Sequence, residues 1–213
     1  MVEKKAVLEA LKQVRENAGK RNFKQSLDFV INLVNVDMKT LKVADSIELP
    51  SGRGKAVNVA VIADGEASLQ AKTGGAHTIV TKKEISQYDK KKVRKLAEQC
   101  EWFVVQAPLM QPFAATFGII LGPRGQMPFP KDVLGPVADP NPIIKRLKNS
   151  VRVRVKDRPV IHAFVGTEDM ADDALSENIV TVYKSVLAKL EKGHHSIGKM
   201  YLKTTMGKPV IVK

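Results

Sequence analysis

The chain has 213 residues, and 44% of them are hydrophobic. This length and composition are enough for one large domain or two smaller ones with a hydrophobic core. The chain contains one cysteine. Its 35 lysines and arginines outnumber 22 acidic residues, and the resulting formal charge of +13 favours a polyanionic partner such as nucleic acid or an anionic membrane surface. The apolar runs are too short for a membrane span, which needs roughly 18 residues, and the amphipathic N-terminus does not resemble a signal peptide. These features exclude a membrane-spanning protein and predict a cytoplasmic one.

The first segment of the chain predicts a helix followed by antiparallel strands. Apolar residues recur at helical spacing between positions 7 and 18, so we expect an amphipathic helix that ends near Gly19. Residues 26–36 alternate between apolar and polar side chains, which is typical of a half-buried antiparallel strand. Residues 45–49 are predicted to pair with that strand, and the turn PSGRGK follows them.

The pattern changes in the middle of the chain. Nearly unbroken apolar runs alternate there with helical stretches, as in a parallel sheet that is covered on both faces. The glycine- and proline-rich LGPRGQMPFP is predicted to be a loop. The apolar runs are residues 57–63, 79–80 and 102–105, and the helical stretches are residues 66–72, 88–99 and 141–149.

The last segment returns to the character of the first. The alternating VRVRVKDRPVIHAFV predicts a hairpin that turns at residues 156–159. A helix is expected over residues 175–190, and two final strands enclose the turn at residues 204–207. Because neither outer piece alone would bury much surface, we predict one split α+β domain of residues 1–59 and 151–213. An α/β domain of residues 60–150 is then inserted into it, and the two chain crossings form a hinge.

Few residues point to catalysis, a metal or a cofactor. Cys100 precedes an apolar strand and is expected to be a buried thiol in a reducing compartment. His194 and His195 lack the partners that a zinc site needs, and we expect them in a solvated connection, while His162 is expected on a strand surface. The loop around Arg124 has neither a P-loop ending nor a dinucleotide-binding spacing. No nucleophile elbow or marked acidic pair occurs, so we predict a protein without catalytic residues.

Two short cationic segments contain an exposed-looking apolar residue. Phe23 lies in RNFKQS, and Met206 lies in KTTMGK beside a glycine that lets the backbone approach a ligand. Such side chains can stack on bases or pack on riboses, while hydroxyls, lysines and backbone groups contact 2′-OH and phosphate groups. In the strands that carry Arg154 and Lys203, cations occur two residues apart, so their side chains lie on one face of each strand. The alternative is that Phe23 and Met206 are minor core residues and the cations form a solvated face.

Three motifs in a fixed order carry a family resemblance. RNFKQSLDFVINL occurs near the start, LGPRGQMPFP in the middle and TTMGKPV at the end, with ELPSG and VIHAFVG between them. With these motifs the chain closely resembles, over its whole length, the ribosomal protein L one family, the protein of the mobile side stalk of the large ribosomal subunit. The compact N-terminus is typical of the archaeal form.

The resemblance implies a fold, a function and partners. The expected fold is a split α+β RNA-binding domain with an inserted Rossmann-like, three-layer α/β domain. The expected partners are ribosomal RNA of the side stalk at the E site, the deacylated transfer RNA whose release the protein assists, and the protein's own messenger RNA, whose translation it represses. We expect a ribosome-associated protein that needs no cofactor or metal, contacts no membrane and is a monomer when free.

The resemblance also implies site residues. Glu9 matches a family glutamate that contacts RNA, and Lys199 replaces a small hydroxyl residue of the bacterial pattern, so its contact is expected to be ionic. Arg21, Arg154 and Lys203 are further candidate phosphate contacts. The RNA-binding residues carried over by motif are Phe23, Lys24, Ser26, Thr204, Thr205, Met206 and Gly207.

Two other function classes remain as alternatives. An enzyme could use the inserted α/β domain to bind a nucleotide or a methyl donor, since its sheet type is compatible with that use although fold does not imply function. Saturable nucleotide or S-adenosylmethionine binding would indicate this class. A purely electrostatic anion binder would show no preference among RNAs.

Overall fold

The structure is a computed structural model, and it describes residues 4–19, 21–37, 43–135, 138–155, 158–190 and 193–212. The chain forms two compact units, Met1–Lys55 with Asn149–Lys213, and Ala56–Lys148; the predicted boundaries, 59 and 150, lie within a few residues of these. In chain order the elements are α1 (Lys4–Glu16), β1 (Ser26–Leu33), β2 (Ala44–Glu48), β3 (Val59–Ile62), α2 (Glu66–Thr73), β4 (Thr78–Val80), α3 (Lys82–Ile85), α4 (Lys90–Gln99), β5 (Trp102–Gln106), α5 (Met110–Arg124), β6 (Val133–Leu134), α6 (Asn141–Lys148), β7 (Ser150–Arg154), β8 (Val160–Thr167), α7 (Asp172–Leu187), β9 (Ile197–Thr204) and β10 (Val210–Val212).

The first unit is built on a four-stranded antiparallel sheet with the order β10-β9-β1-β8. Strand β1 buries every second side chain, from Leu27 to Leu33, as its alternating sequence predicts. Helices α1 and α7 contribute their buried stripes to the same core, and α1 ends at Glu16, before the predicted Gly19. The sequence pattern therefore identified these strands and helices correctly.

Two predicted strand pairings are wrong. Strand β2 pairs with β7, whereas β1 lies between β8 and β9. The predicted hairpin of β7 and β8 does not form, because each of the two strands pairs with a different strand of the first segment. Its turn includes residues 156 and 157, which lie outside the described residues. Alternation predicts a strand and its buried face, but partners far apart in the chain are chosen by packing.

The second unit has the predicted parallel sheet, with the order β4-β3-β5-β6. Strand β5 is buried along its whole length. Phe103 and Val105 join a core on one face, while Trp102 and Val104 join a core on the other. Helices therefore cover both faces of this sheet, and the predicted fold class of antiparallel α+β and parallel α/β parts is confirmed.

Helix α5 is absent from the predicted elements, and the predicted loop at residues 121–130 is wrong in its first part. Phe113, Phe117 and Leu121 are buried at a spacing of four residues, so one face of α5 packs on the sheet. Pro112 lies in the first turn, where its missing N–H has no intrahelical partner to lose. The helix ends only at Gly125, which has a φ of 73°.

Two further predictions concern single side chains and membrane helices. Cys100 is buried, as predicted, and burial raises the pKa of its thiol while a hydrogen bond with Thr78 lowers it in part. His162, His194 and His195 are exposed, in agreement with the predicted surface positions. Among the described residues, no helix combines the length and the apolar character that a membrane crossing requires.

Candidate nucleic-acid interface

One end of the four-stranded sheet brings together three segments that are far apart in the chain. Ser26, at the start of β1, pairs with Thr167 at the end of β8, and the next residue, Leu27, pairs with Thr204 at the end of β9. Because β1 runs antiparallel to both neighbours, its beginning lies beside their ends. We call residues 21–26, 168–170 and 203–207 the end cluster.

The turn after β9 is fixed to the segment before β1 by hydrogen bonds. The backbone N–H of Thr205 donates to the carbonyl of Ser26 over 3.0 Å, and the N–H of Ser26 donates to Thr205 Oγ1 over 3.1 Å. The N–H of Met206 donates to Gln25 Oε1 over 3.2 Å. The turn is therefore held in one position without help from the Met206 side chain.

Met206 and Phe23 project from this end into solvent. Their exposed fractions are 61% and 50%, which shows that the alternative of minor core residues is wrong. Large apolar side chains that stay exposed on an anchored turn have no role in the core and are available to a partner. Lysines flank both residues in the sequence, at positions 24, 203 and 208.

Gln25 is a positioning residue that the sequence analysis missed. It is 2% exposed, and its side-chain Nε2 donates to the carbonyl of Gly19 over 3.2 Å, while Oε1 accepts the Met206 N–H. Its backbone N–H and C=O both bond to Glu168, at 2.9 and 3.0 Å. Gln25 thus links all three segments. The sequence contained one indication of this role. Gln25 lies two residues before the buried Leu27, so its side chain is on the same buried side of the chain although it is polar, and a buried polar side chain needs hydrogen-bond partners.

Acidic residues pair with cations in and beside the end cluster. Lys24 Nζ lies 2.6 Å from Asp169 Oδ2, and this hydrogen-bonded pair raises the pKa of Lys24. Arg15 bonds to Asp172 over 2.8 Å and donates to the carbonyls of Glu168 and Met170, each over 2.7 Å. These bonds tie residues 168–170 to the end of α1. The surface therefore mixes both signs of charge.

A shallow groove runs through the end cluster. It has a volume of about 380 Å³, and Arg15, Arg21, Glu168 and Thr204 contribute to its walls. Its two arginines and adjacent backbone groups can donate hydrogen bonds to phosphate or sugar oxygens.

Asp28 lies on the outward face of β1, next to the cluster. It pairs in register with Lys203, and burial raises the pKa of its carboxyl group, while the nearby charges of Lys203 and His162 lower it in part. This carboxylate reduces the positive potential around Lys203 when it is ionised.

The structure brings only some of the predicted site residues together. Ser26, Lys203 and residues 204–207 meet directly, with Arg21, Phe23 and Lys24 in the adjoining segment. Lys199 is exposed on β9, about 17 Å from Thr204 at 3.3 Å per residue. Glu9 is exposed near the middle of α1, about 10 Å along the helix from Glu16. Arg154 is exposed at the end of β7, in the two-stranded sheet.

The chemistry of the end cluster suits binding. It combines cations, backbone and side-chain donors, and exposed apolar side chains, which are the groups that contact phosphates, sugars and bases. Within the ranges that the structure describes, no three His, Cys, Asp or Glu side chains gather closely enough to hold a metal ion.

Comparison with known proteins shows the family of the chain. The family model described as "Ribosomal protein L1p/L10e family" matches residues 11–208. The chain is 44% identical to large ribosomal subunit protein uL1 of Methanothermobacter thermautotrophicus, over 96% of this chain and 97% of the relative. The proteins of the same name from Picrophilus torridus and Pyrococcus abyssi are 42% and 40% identical, over 95% and 99% of this chain and 95% and 97% of the relatives.

These relatives confirm the resemblance inferred from the motifs, including its archaeal character. The prediction of a ribosomal protein that is not an enzyme is likewise confirmed by this kinship. The alternative of a nucleotide- or methyl-donor-dependent enzyme loses its basis, since it rested on the sheet type alone. The chain belongs to the Ribosomal protein L1p/L10e family.

Proposed function

We propose that the protein is a constituent of the large ribosomal subunit and binds the RNA of its side stalk through the end cluster. The observation that carries this proposal is the exposure of Met206 and Phe23 on a rigid, cation-flanked end of the sheet. The relatives are named as large-subunit proteins and match almost the whole chain, which supports the ribosomal assignment.

Each part of the cluster has a role in this proposal. The Met206 side chain packs against riboses or base edges in a shallow, wide RNA minor groove, and Phe23 stacks on an unpaired base. Lys203, Arg21 and Lys24 contact phosphates, which set the register of the RNA. Because Lys24 and Asp169 are both exposed, their ion pair is weak in water, so Lys24 can exchange Asp169 for a phosphate.

The hydrogen bonds of the turn explain how an apolar side chain can provide specificity. Thr205 Oγ1 accepts the N–H of Ser26 and lies 3.3 Å from the Ser26 carbonyl, to which it donates, so it serves the fold. Recognition then depends on shape, because Met206 fits only an RNA whose folded surface has a matching depression. A pre-formed turn also loses little conformational entropy on binding.

The test is a titration of the side-stalk segment of large-subunit rRNA and of a scrambled hairpin of equal length, at several salt concentrations. We expect a preference for the stalk by a factor of about a thousand or more, by analogy with specific binding of DNA. Met206→Asp should remove most of this preference and leave the unfolding temperature unchanged. Leu69→Asp, at a residue 62% exposed in the other unit, is the matched control.

Equal affinity of the wild-type protein for both RNAs, vanishing at high salt, would show that net charge alone explains binding. Lys203→Gln should act differently from Met206→Asp, since loss of one phosphate contact weakens all RNAs alike and lowers the salt slope by about one.

Two finer roles follow from the family resemblance and belong to the same proposal. The protein assists the release of deacylated transfer RNA at the E site, and it represses translation of its own messenger RNA by binding a structure similar to the stalk. Repression of a reporter that carries the messenger's leader should be lost with Met206→Asp and retained with Leu69→Asp. Repression that survives Met206→Asp would show that the messenger is recognised elsewhere.

A further inference from the structure

Helix α4, in the second unit, carries an unexplained concentration of positive charge. Its sequence is KKKVRKLAEQ, and all five cations are exposed, while Val93, Leu96 and Ala97 fix its inner face. Lys91, Arg94 and Lys95 lie on the face opposite that buried stripe, as follows from the 100° rotation per residue.

This arrangement opposes the stability of the helix. Three lysines occupy the first turn, where the helix dipole disfavours positive charge, and no acidic residue lies in that turn. Lys90 and Arg94, and likewise Lys91 and Lys95, are like-charge pairs at a spacing of four residues, which are destabilising.

The surrounding acidic groups do little to offset these charges. Asp89 precedes the helix, and Glu98 bonds to Arg124 over 3.2 Å. Among the residues that the structure describes, Lys90, Lys91, Arg94 and Lys95 have no carboxylate within ion-pair distance. The charges of α4 therefore face solvent without a counter-charge.

Helix α6 of the same unit shows the contrast. Its basic residues, Lys145, Arg146 and Lys148, lie in the last turn, where the dipole favours them. Arg146 also bonds to Asp132 over 2.5 Å. The cations of α6 thus have a structural role, whereas Lys90, Lys91, Arg94 and Lys95 of α4 have none among the contacts of the described residues.

A groove runs beside the charged face of α4. It has a volume of about 410 Å³, and Lys92, Lys95 and Gln99 of the helix form one wall, opposite Gln87 and Tyr88. Amide, phenol and ammonium groups can all donate hydrogen bonds to phosphate and 2′-OH oxygens. Glu84, also in the groove, is engaged in a bond from the N–H of Thr81 at 2.8 Å. The groove therefore suits a sugar-phosphate chain.

We propose that α4 is a second RNA contact, which binds backbone phosphates of the same stalk RNA that the end cluster recognises. The proposal rests on the proposed function. Because both units belong to one chain, an RNA long enough to reach both surfaces binds the second one intramolecularly, which raises the overall affinity. Contacts to phosphates add affinity and carry no sequence information, so α4 needs no fixed pattern of bases.

The test compares three proteins: wild type, Lys91→Gln/Lys95→Gln, and the control Lys72→Gln/Lys145→Gln, which removes the same charge from exposed positions on α2 and α6. Each is titrated with the stalk segment, the scrambled hairpin and a transfer RNA at several salt concentrations. Each phosphate contact contributes about 0.7 to 0.9 to the salt slope, so the α4 variant should lose about 1.5. That loss corresponds to an affinity about 30-fold lower near 0.1 M salt, converging with wild type towards 1 M.

The outcomes separate this proposal from the proposed function. If wild type prefers the stalk but the α4 variant keeps the wild-type slope, or loses no more than the control, the second contact is overturned and the end cluster stands. If the salt slope of the α4 variant is lower than that of wild type with transfer RNA but not with the stalk segment, the proposal is also overturned, since α4 would then bind a different RNA. If wild type does not prefer the stalk, both are overturned.

Unfolding temperatures exclude damage to the fold as the cause of weaker binding. Removal of a like-charge pair should leave the α4 variant at least as stable as wild type at low salt. The control removes cations from helix C-terminal turns and should lose a little stability. A lower unfolding temperature for the α4 variant would show that these lysines stabilise the helix and would overturn the argument.

Discussion

Gly207 lies directly against the side chain of Thr204, and a Cβ atom at position 207 would overlap Thr204 Oγ1. Thr204 is 1% exposed, and its hydroxyl has no hydrogen-bond partner among the described residues. Because Thr204 is β-branched and buried, it cannot rotate freely to make room. The glycine of the turn is therefore required by packing within the turn itself, whatever it also permits a ligand to do.

We expect Gly207→Ala to lower the free energy of unfolding by about 1 to 3 kcal/mol, the usual effect of overpacking. Thr204→Ala removes the overlapping hydroxyl, so the double variant should recover much of the loss. Denaturant unfolding of the single and double variants measures the coupling, which should be at least about 0.5 kcal/mol. Gly118→Ala is the control, because a Cβ at this helical position meets nothing within 4 Å. Additive losses in the double variant would show that the Thr204 hydroxyl is not the obstacle.

Asp169→Asn should strengthen RNA binding. The ion pair between Lys24 and Asp169 is exposed on both sides, so its loss should change the unfolding free energy by less than about 1 kcal/mol. The substitution frees Lys24 and removes a negative charge from the surface that meets phosphates. Stalk affinity should rise several-fold at low salt, and the gain should disappear at high salt.

The control for this prediction is Glu48→Gln, which makes the same charge change at an exposed position of the two-stranded sheet. Weaker binding by the Asp169 variant would mean that the ion pair positions Lys24 and that the ordered geometry outweighs the free charge.

Gln25→Ala should damage both the fold and the site. The substitution removes the partner of the Gly19 carbonyl and of the Met206 N–H, and loss of partly buried hydrogen bonds of this kind lowers stability by about 0.5 to 1.5 kcal/mol each. The turn that carries Met206 also loses an anchor, so the preference for the stalk over the scrambled hairpin should fall. Gln13→Ala, at an exposed position of α1, is the control. An intact preference would show that the strand pairing alone positions the turn.

Asp28→Asn should make stability less dependent on pH. Burial raises the pKa of Asp28 above its ordinary value of 3.8, so the folded state binds this proton more tightly than the unfolded state. The contribution is present below pH 3.8 and is lost as the pH rises through the folded pKa. The asparagine variant should therefore gain stability over wild type as the pH rises from about 3 to 7.

Thermal unfolding of both proteins across this range measures the contribution of Asp28. A repeat with His162→Gln in both proteins removes the influence of the neighbouring imidazole on Asp28. A gain that does not change with pH would show that Asp28 has the same pKa in both states.

Local patterns in the sequence determined most of the fold. The alternation of residues 26–33 identified the buried face of β1, and the apolar run 102–105 identified a strand covered on both faces. These patterns succeed because burial repeats with the period of each element. Helix α5 escaped detection, because Pro112 and Pro123 oppose helix formation by propensity and packing of its apolar face overrides them.

The sequence also determined the charge of the protein, its family motifs and the position of Met206 between lysines. Only the tertiary structure decided which strands pair, and so which segments form the candidate site. Antiparallel pairing of β1 with β8 and β9 places Ser26 beside Thr205 and Glu168 beside Gln25, at separations of more than 140 residues. A local pattern cannot specify such contacts, because long-range pairing depends on how whole faces pack, and Gln25 and Asp169 acquire their roles only there.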